Sequence, residues 1–346
     1  MKITCTQSDL SRALRAVARA VGNGKTHPIL SGVLLDADGG SLQLTTYDLS
    51  IGIQTSIDAA VATPGAAVVP HRLLADITGH LDGDSAISMT LDGDRIALAT
   101  AGGSYSLSAA SADDFPGLPA VAAADGAVID LAAPLAAVIV AASNDEAKQV
   151  LTGIHLVSDG TELRMEATDG HRLAVRTIAA KAPVMDVVIP SRAMAQVRHP
   201  ASFAVDGGHV AIQLDTATRM VTRTLDGTYP KVQQLIPPTF KTLATCNREA
   251  LLSALERIAC VSANDIVKLT VKDGAIQVAA ESETSSGAES VACDGKLPQL
   301  AVNVHYLMDG LKGFTDTDIT IQANTSTTPV VIGQTYLVMP VQIRDH

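Results

Sequence analysis

The sequence predicts an α+β protein made of three tandem domains, residues 1–119, 120–238 and 239–346. Two observations lead to this prediction. Patterns typical of helices and β-hairpins recur in the same order three times along the chain. At 346 residues the chain is also longer than a single hydrophobic core usually serves. Its content of 47% hydrophobic residues is that of a folded globular protein.

The first copy begins with an amphipathic helix, because Leu10, Leu14 and Val17 recur at helical spacing. A β-hairpin follows, then a second helix, a second hairpin and an extended linker. The predicted helices are 8–21 and 71–81, the predicted strands are 29–35, 41–46, 67–69, 87–91, 95–100 and 105–108, and the linker is 114–119.

The second and third copies repeat this order of elements. A linker at 226–230 takes the place of the first one, and a hairpin turns at Asp273-Gly274. The predicted helices are 131–142, 191–199, 248–261 and 304–313, and the predicted strands are 151–157, 162–167, 187–190, 202–205, 209–214, 319–322, 330–332 and 336–343.

Aligning the copies shows that the repeat is regular. Gly32, Leu42, Leu44 and Asp48 match Gly153, Leu163, Met165 and Asp169 at a constant offset of 121. Leu163 and Met165 match Ile276 and Val278 at an offset of 113. A period near one third of the chain indicates three tandem α+β domains and not a solenoid of small repeats. Catalytic chains seldom need the same scaffold three times.

Charge is unevenly distributed between the predicted helices and the rest of the chain. The net charge is −11, yet the six predicted helices carry nine Lys or Arg and five Asp or Glu, a balance of +4 that leaves −15 elsewhere. Arg12, Arg15 and Arg19 form one stripe on the first helix. Positive helices within an acidic shell suit a protein that encircles a polyanion through sequence-independent phosphate contacts. The other cations of the helices are Arg72, Arg192, Arg198, Arg248, Arg257 and Lys312.

Several classes of protein are disfavoured. The four cysteines have no C-x-x-C spacing, which argues for free buried thiols and against a metal site, and no cofactor is expected. The N-terminus lacks the apolar segment of a signal peptide, and no apolar run is long enough to span a bilayer, so a cytoplasmic protein is expected. Aromatic residues make up 3% of the chain and Trp is absent, which argues against base stacking on single strands.

The central segment 167–175, Ala-Thr-Asp-Gly-His-Arg-Leu-Ala-Val, has two interpretations. Asp169 and His171 could form an acid–base pair of a hydrolase, or the segment could be a shaped turn beside a docking surface. Asp48, the counterpart of Asp169, is followed by Leu49-Ser50, so a role that the repeats share is structural. A repeat scaffold without DNA is a third possibility, although it gives the charge segregation no role.

Seven motifs lie in the same order and at the same separations as in the bacterial DNA sliding clamp, the β subunit of DNA polymerase III. The chain resembles that family over essentially its whole length and all three domains. The motifs are His27-Pro-Ile-Leu30, Val69-Pro70, Asp114-Phe-Pro116, Ala167 to Val175, Asp226-Gly-Thr-Tyr-Pro230, Asn303-Val-His-Tyr306 and Tyr336-Leu-Val-Met-Pro340.

The resemblance implies the DNA clamp fold, with antiparallel sheets outside and two helices inside in each domain. It also implies a head-to-tail homodimer closed into a ring around duplex DNA. Tyr105 and Leu107 would then meet Cys260 and Val261 of the other subunit. Together with the charge pattern, it gives the expected DNA-binding residues Arg12, Arg15, Arg19, Lys25, Arg72, Lys148, Arg192 and Arg198.

The resemblance further implies a hydrophobic pocket that receives a short linear motif from polymerases, the clamp loader and repair proteins. Its expected residues are Leu151, Thr168, Gly170, His171, Arg172, Leu173, Pro230, Leu235, Asn303, Tyr306, Leu337, Val338, Met339 and Pro340. The resemblance therefore implies a processivity factor that tethers the replicative polymerase, and not an enzyme. Gln234 and Gln342 stand where some relatives carry arginine, and Leu235 replaces a smaller valine, which bears on motif preference.

Overall fold

The computed structural model describes residues 1–83, 85–124 and 126–342. Within this part the chain forms an α+β fold in which the paired strands run antiparallel, as predicted. The strands are β1 (Lys2–Thr6), β2 (Gly32–Asp38), β3 (Ser41–Tyr47), β4 (Ile51–Asp58), β5 (Ala60–Thr63), β6 (Gly65–Pro70), β7 (Ala86–Asp92), β8 (Arg95–Thr100), β9 (Gly103–Ser108), β10 (Gly153–Ser158), β11 (Glu162–Thr168), β12 (Arg172–Ala179), β13 (Met185–Pro190), β14 (Ser202–Asp206), β15 (His209–Gln213), β16 (Thr218–Arg223), β17 (Thr242–Asn247), β18 (Ile266–Lys272), β19 (Ala275–Glu281), β20 (Ser286–Gly295), β21 (Leu300–Asn303), β22 (Asp318–Ala323), β23 (Val330–Ile332) and β24 (Tyr336–Val338).

The α-helices in the described residues are α1 (Gln7–Val17), α2 (His71–Gly79), α3 (Ala132–Ile139), α4 (Ser191–Met194), α5 (Arg248–Ala259) and α6 (Val304–Lys312). Three of them begin at a polar cap that the sequence supplies. The side chains of Thr6, Asn247 and Asn303 accept the backbone N–H of the residue three positions later. These bonds satisfy donors that a helix N-terminus otherwise leaves unpaired.

The chain packs into two compact units. One comprises residues 1–129 and 197–224, and the other comprises residues 130–196 and 225–346. The first unit holds a five-stranded sheet in the order β5-β1-β7-β8-β9 and a seven-stranded sheet in the order β14-β15-β16-β4-β3-β2-β6. Helix α1 packs against α2 and against β3 and β4. Leu10, Leu14 and Val17 are buried at this contact, so the apolar face that the spacing predicts is the core face.

The second unit holds a twelve-stranded sheet in the order β13-β10-β11-β12-β24-β23-β22-β17-β20-β19-β18-β21. Helix α5 packs against α6, and α3 packs against β11 and β12. The central third of the chain thus contributes to both units, because β16 pairs with β4 while β12 pairs with β24. The boundaries at 119/120 and 238/239 stay a prediction.

Several predicted helices end earlier in the structure. Helix α1 stops at Val17 and tightens into a 3₁₀ turn over Ala18–Ala20, because the Thr46 hydroxyl donates to the Val17 carbonyl at 2.6 Å. The predicted helix 191–199 is only the four residues of α4 and passes into a turn at 195–196. Pro200 accounts for the absence of helix at His199 alone. Helices α2, α5 and α6 begin at the predicted residue and end one or two residues early, and α3 begins one residue later and ends three residues earlier than predicted.

The predicted strands 29–35 and 151–157 begin later than expected, since 3₁₀ turns cover Pro28–Ser31 and Glu146–Thr152. The predicted strand 336–343 ends at Val338, because Pro340 has no N–H to donate to a ladder, and Ile343 lies outside the described residues.

Candidate functional site

The segment 167–175 is a hairpin whose turn is built by Asp169. Its Oδ1 accepts the backbone N–H of His171 at 2.8 Å and of Arg172 at 3.0 Å. Gly170 has a φ of 93°, in the left-handed region that glycine enters without strain. The carboxylate of Asp48 accepts the N–H groups of Ser50 and Ile51 in the same way, at 2.9 and 2.8 Å. The shared role of the two repeated acids is therefore structural, as predicted.

Arg172 joins this turn to helix α6. Its Nε donates to Asp169 Oδ2 at 3.0 Å, and its Nη1 donates to Asp309 Oδ2 at 2.6 Å. The guanidinium also lies over the Tyr306 ring, 4.3 Å from its centroid. Only 11% of the Arg172 side chain is exposed, so this buried cation links the turn to the helix within the protein.

Two strand ends from distant parts of the sequence meet at the same place. Strand β12 pairs with β24 so that Arg172 lies opposite Val338 and Leu173 opposite Leu337. The backbone N–H of Met339 then donates to the carbonyl of His171 at 2.8 Å. The central hairpin and the C-terminal segment thus form one continuous surface, and most of the predicted pocket residues belong to it.

An apolar cluster lies beneath this surface. Leu173, Tyr229, Val232 and Leu337 are buried in it, and Leu151 packs against it. Two predicted pocket residues remain exposed beside the cluster: Leu235, at 53%, and Met339, at 39%. Gly170, His171 and Pro230 are also exposed, Val338 is fully buried, and Asn303, Tyr306 and Pro340 are half-buried. The oxygen of the Asn303 amide caps α6 by accepting the Tyr306 N–H at 3.1 Å.

The equivalent cluster in the first copy is filled differently. Tyr47, one repeat before Thr168, is buried there with Val68 and Phe115. In the second copy Val188 and Tyr229 take the places of Val68 and Phe115, and the small Thr168 replaces the tyrosine. Tyr229 instead accepts the Thr168 backbone N–H with its hydroxyl, at 3.0 Å. The second copy therefore has a smaller side chain where the first has an aromatic ring.

Sequence reasoning missed a polar cluster behind this wall. His155 Nδ1 lies 2.7 Å from Glu166 Oε1, and its Nε2 lies 2.7 Å from Asp186 Oδ1. The imidazole stacks on the Tyr229 ring at a centroid distance of 4.7 Å. The polar residues within two otherwise apolar strands were the available signal, since His155 and Glu166 face each other across β10 and β11.

The residues expected to contact DNA are exposed. Six of them, Arg12, Arg15, Arg19, Lys25, Arg72 and Arg198, lie in the first unit, and Lys148 and Arg192 lie in the second. Some have partners within the chain: Arg12 pairs with Asp9 at 2.7 Å and Arg72 with Asp76 at 3.8 Å. Exposed pairs of this kind contribute little to stability, so the cations stay available to other anions.

The residues expected at a subunit interface differ in exposure. Tyr105 is 41% exposed on β9, whereas Leu107 is 2% exposed and therefore part of the sheet's core. Cys260 is exposed at the end of α5, and Val261 is half-buried. All four cysteines are free thiols, as predicted, but only Cys5 and Cys246 are buried, so the prediction of burial is wrong for Cys260 and Cys293. None of the helices in the described residues is long and apolar enough to cross a membrane.

Three repeated α+β segments and a partly open apolar cluster at two joined strand ends are the features of a clamp protein. Residues 1–119, 129–231 and 233–341 match the N-terminal, central and C-terminal domains of the DNA polymerase III beta subunit. The chain belongs to the DNA polymerase III beta subunit family. It is therefore a sliding clamp, a processivity factor that works with DNA and its polymerase and is not an enzyme. This assignment excludes the two alternative interpretations of the sequence, a hydrolase that uses Asp169 and His171 and a repeat scaffold that does not bind DNA.

Individual relatives agree with this assignment. The chain is 37% identical to the beta sliding clamp of Synechococcus elongatus over 375 residues, which covers 100% of both chains. It superimposes on the DNA polymerase sliding clamp of Bacillus subtilis with a TM-score of 0.92 at 23% identity, covering 99% of this chain and 100% of that one. A sliding clamp from Bartonella birtlesii bound to griselimycin gives a TM-score of 0.90 at 26% identity, with the same coverage.

Proposed function

We propose that the chain forms a head-to-tail homodimeric ring that encircles duplex DNA in the cytoplasm. In this ring it holds the replicative polymerase, the clamp loader and repair proteins through one peptide-binding pocket per subunit. The observation that carries the pocket is the pairing of β12 with β24, which joins Arg172, Leu173 and Met339 in one surface over an apolar cluster. Apolar clefts with a few polar anchors suit the capture of short peptides.

The pocket proposal has two parts. The small Thr168, where the first copy has Tyr47, would leave space over the Tyr229 ring for an apolar side chain of the partner. Exposed Met339 and Leu235 then cover that side chain, and the flexible methionine adapts to partners of different shape. The half-buried Asn303 and Tyr306, with Pro340, would flank a second part of the peptide.

Peptide capture is tested with Met339→Ala. Titration of the protein with griselimycin, the ligand of the Bartonella birtlesii clamp, should show affinity about tenfold weaker than that of the unmodified chain. Val184→Ala is the matched control, because Val184 is 78% exposed in the same unit and lies outside the proposed pocket. Equal affinity of Met339→Ala and the unmodified chain would contradict the assignment. Leu173 is buried at 1% exposure, so truncating it would test stability and binding together.

DNA would be held through Arg12, Arg15, Arg19, Lys25, Arg72, Lys148, Arg192 and Arg198, by phosphate contacts without base reading. Their exposure and the acidic remainder of the chain support this role. Replacing Arg15 and Arg19 together by Gln should lower the affinity for a 30-base-pair duplex and reduce the slope of log K against log salt by about 2. An unchanged salt slope would remove these residues from the DNA contact.

The ring would close where β9 of one subunit meets the end of α5 of the other. Tyr105 and Cys260 are the exposed members of the proposed interface, while Leu107 would support Tyr105 from within the sheet. A head-to-tail contact of this kind forms a closed ring when the rotation that relates one subunit to the next returns to the first subunit, here after two subunits.

A further inference from the structure

His155 is held between two carboxylates, one buried and one exposed. The Glu166 side chain is 4% exposed and the Asp186 side chain 78%, and each places an oxygen 2.7 Å from a different ring nitrogen. A neutral imidazole has only one N–H, so it can donate to only one of them. Both short contacts are hydrogen bonds only when the ring is protonated.

This cluster is connected to the pocket in two ways. The His155 ring stacks on Tyr229, whose hydroxyl accepts the Thr168 N–H in the pocket wall. On the other side, Arg164 Nε lies 3.4 Å from Glu166 Oε2. Arg164 also donates two hydrogen bonds, at 2.8 and 3.0 Å, to the side-chain oxygen of Gln233 when the Gln233 amide is oriented to satisfy its neighbours. Gln233 belongs to the 3₁₀ turn Val232–Leu235, which carries the exposed Leu235.

We propose that His155 and Tyr229 are positioning residues of the peptide-binding pocket, and that the protonated His155 holds both the Thr168 wall and the Leu235 rim in place. The inference rests on the proposed pocket. Loss of the His155 proton leaves one carboxylate contact without a donor, so the ring loses its fixed position beneath Tyr229. Partner affinity should then be highest when His155 is charged.

The charged groups around His155 favour its proton. Burial opposes it, but the hydrogen bonds and charges of Glu166 and Asp186 outweigh burial and raise the pKa of His155 above its usual 6.5. Glu166 and Arg164 come from β11, Asp186 from β13 and Tyr229 from the linker before the 3₁₀ turn. Affinity is therefore expected to be full below pH 6.5 and to fall as pH rises through the raised pKa of His155.

The test is isothermal titration with griselimycin between pH 6 and pH 9. For the unmodified chain the affinity should fall threefold to tenfold over this range, and Asp186→Asn should shift the midpoint to lower pH. Asp186 is exposed, so this variant keeps the fold. Glu283→Gln, which removes one exposed charge elsewhere in the same unit, should leave the midpoint unchanged. A pH dependence of the affinity that Asp186→Asn leaves unchanged would overturn the inference.

Tyr229→Phe provides an independent readout, since it keeps the aromatic ring and removes the hydroxyl that accepts the Thr168 N–H. Griselimycin affinity at pH 6.5 should fall about fivefold, the effect of one hydrogen bond. Affinity equal to that of the unmodified chain would contradict the positioning role. Failure of the unmodified chain to bind at any pH would overturn the pocket and this inference together, whereas binding with a flat pH profile overturns the inference alone.

Discussion

Arg172 shows at the scale of one residue how the site is held. Its guanidinium bonds to Asp169 in the turn and to Asp309 on α6, so one side chain joins two segments that lie 137 positions apart. The simultaneous bonds from Nε and Nη1 to two carboxylates and the stacking on Tyr306 both depend on a planar guanidinium, which lysine lacks.

Arg172→Ala should lower the free energy of unfolding by about 2–3 kcal/mol, because it leaves two carboxylates near the surface without their cation. Arg172→Lys should fall between this variant and the unmodified chain. Urea denaturation followed by circular dichroism measures both changes. Equal stability of Arg172→Ala and the unmodified chain would show that the two ion pairs contribute nothing.

His155 gives a pH dependence of stability with a definite sign. Its carboxylate partners raise its pKa in the folded protein, so the stabilisation is full below the unfolded value of about 6.5 and is lost as pH rises through the folded value. The unfolding free energy of the unmodified chain should therefore fall above pH 6.5, relative to that of Asp186→Asn. Parallel pH profiles of the two proteins would contradict this linkage.

The residues of the site could be predicted to different degrees. The turn role of Asp169 followed from comparison with Asp48, because a local hydrogen-bond pattern repeats with the sequence. The cluster of His155, Glu166 and Asp186 could not be found in this way, since it depends on which strands are neighbours and in what register. Asp309 was missed for the same reason: its partner Arg172 lies in another copy.

At the scale of elements, the repeat preserves one close contact between a hairpin and the strand beside it. Gly32 lies opposite Pro70 and Gly153 opposite Pro190. A Cβ at Gly32 would lie 2.5 Å from Val68 Cγ1, and one at Gly153 would lie 2.5 Å from Val188 Cγ1. The absence of a side chain at these two positions is therefore a requirement of packing.

Gly153→Ala and Gly32→Ala should each lower the free energy of unfolding by about 1–3 kcal/mol through overpacking. Gly102→Ala is the matched control, because a Cβ there meets nothing within 4 Å. Thermal unfolding of the three variants gives the comparison. Stabilities of Gly153→Ala and Gly102→Ala that agree within error would show that β13 can move away at no cost.

The sequence pattern predicted the six helices and most of the hairpins, because apolar spacing reports the buried face directly. It missed eight strands, whose places depend on their neighbours in the sheets: β1, β4, β5, β12, β16, β17, β20 and β21. The sequence pattern also could not predict the order of the strands in the sheets. Nothing local indicates that β16 extends a sheet of the first copy, or that β12 joins the last one through β24.

At the scale of the whole molecule, the reactivity of the thiols can be used to measure subunit assembly. Burial raises the pKa values of Cys5 and Cys246 to about 12, so both react slowly with a maleimide. Cys260 is exposed in the single chain and belongs to the proposed interface. It should be labelled first at protein concentrations that give monomer, and should be protected at concentrations that give dimer. Labelling of Cys260 that does not depend on protein concentration would exclude it from the interface.

The segregation of charge belongs to this scale as well, because basic segments in a chain of net charge −11 suit the proposed ring, which would hold DNA through weak phosphate contacts. The proposed ring would stay on DNA because it surrounds the duplex. Labelled protein placed on a nicked circular plasmid by a clamp loader should co-elute with the circle on gel filtration and be lost after the plasmid is cut once. Equal loss from, or equal retention on, the circular and linear forms would contradict encirclement.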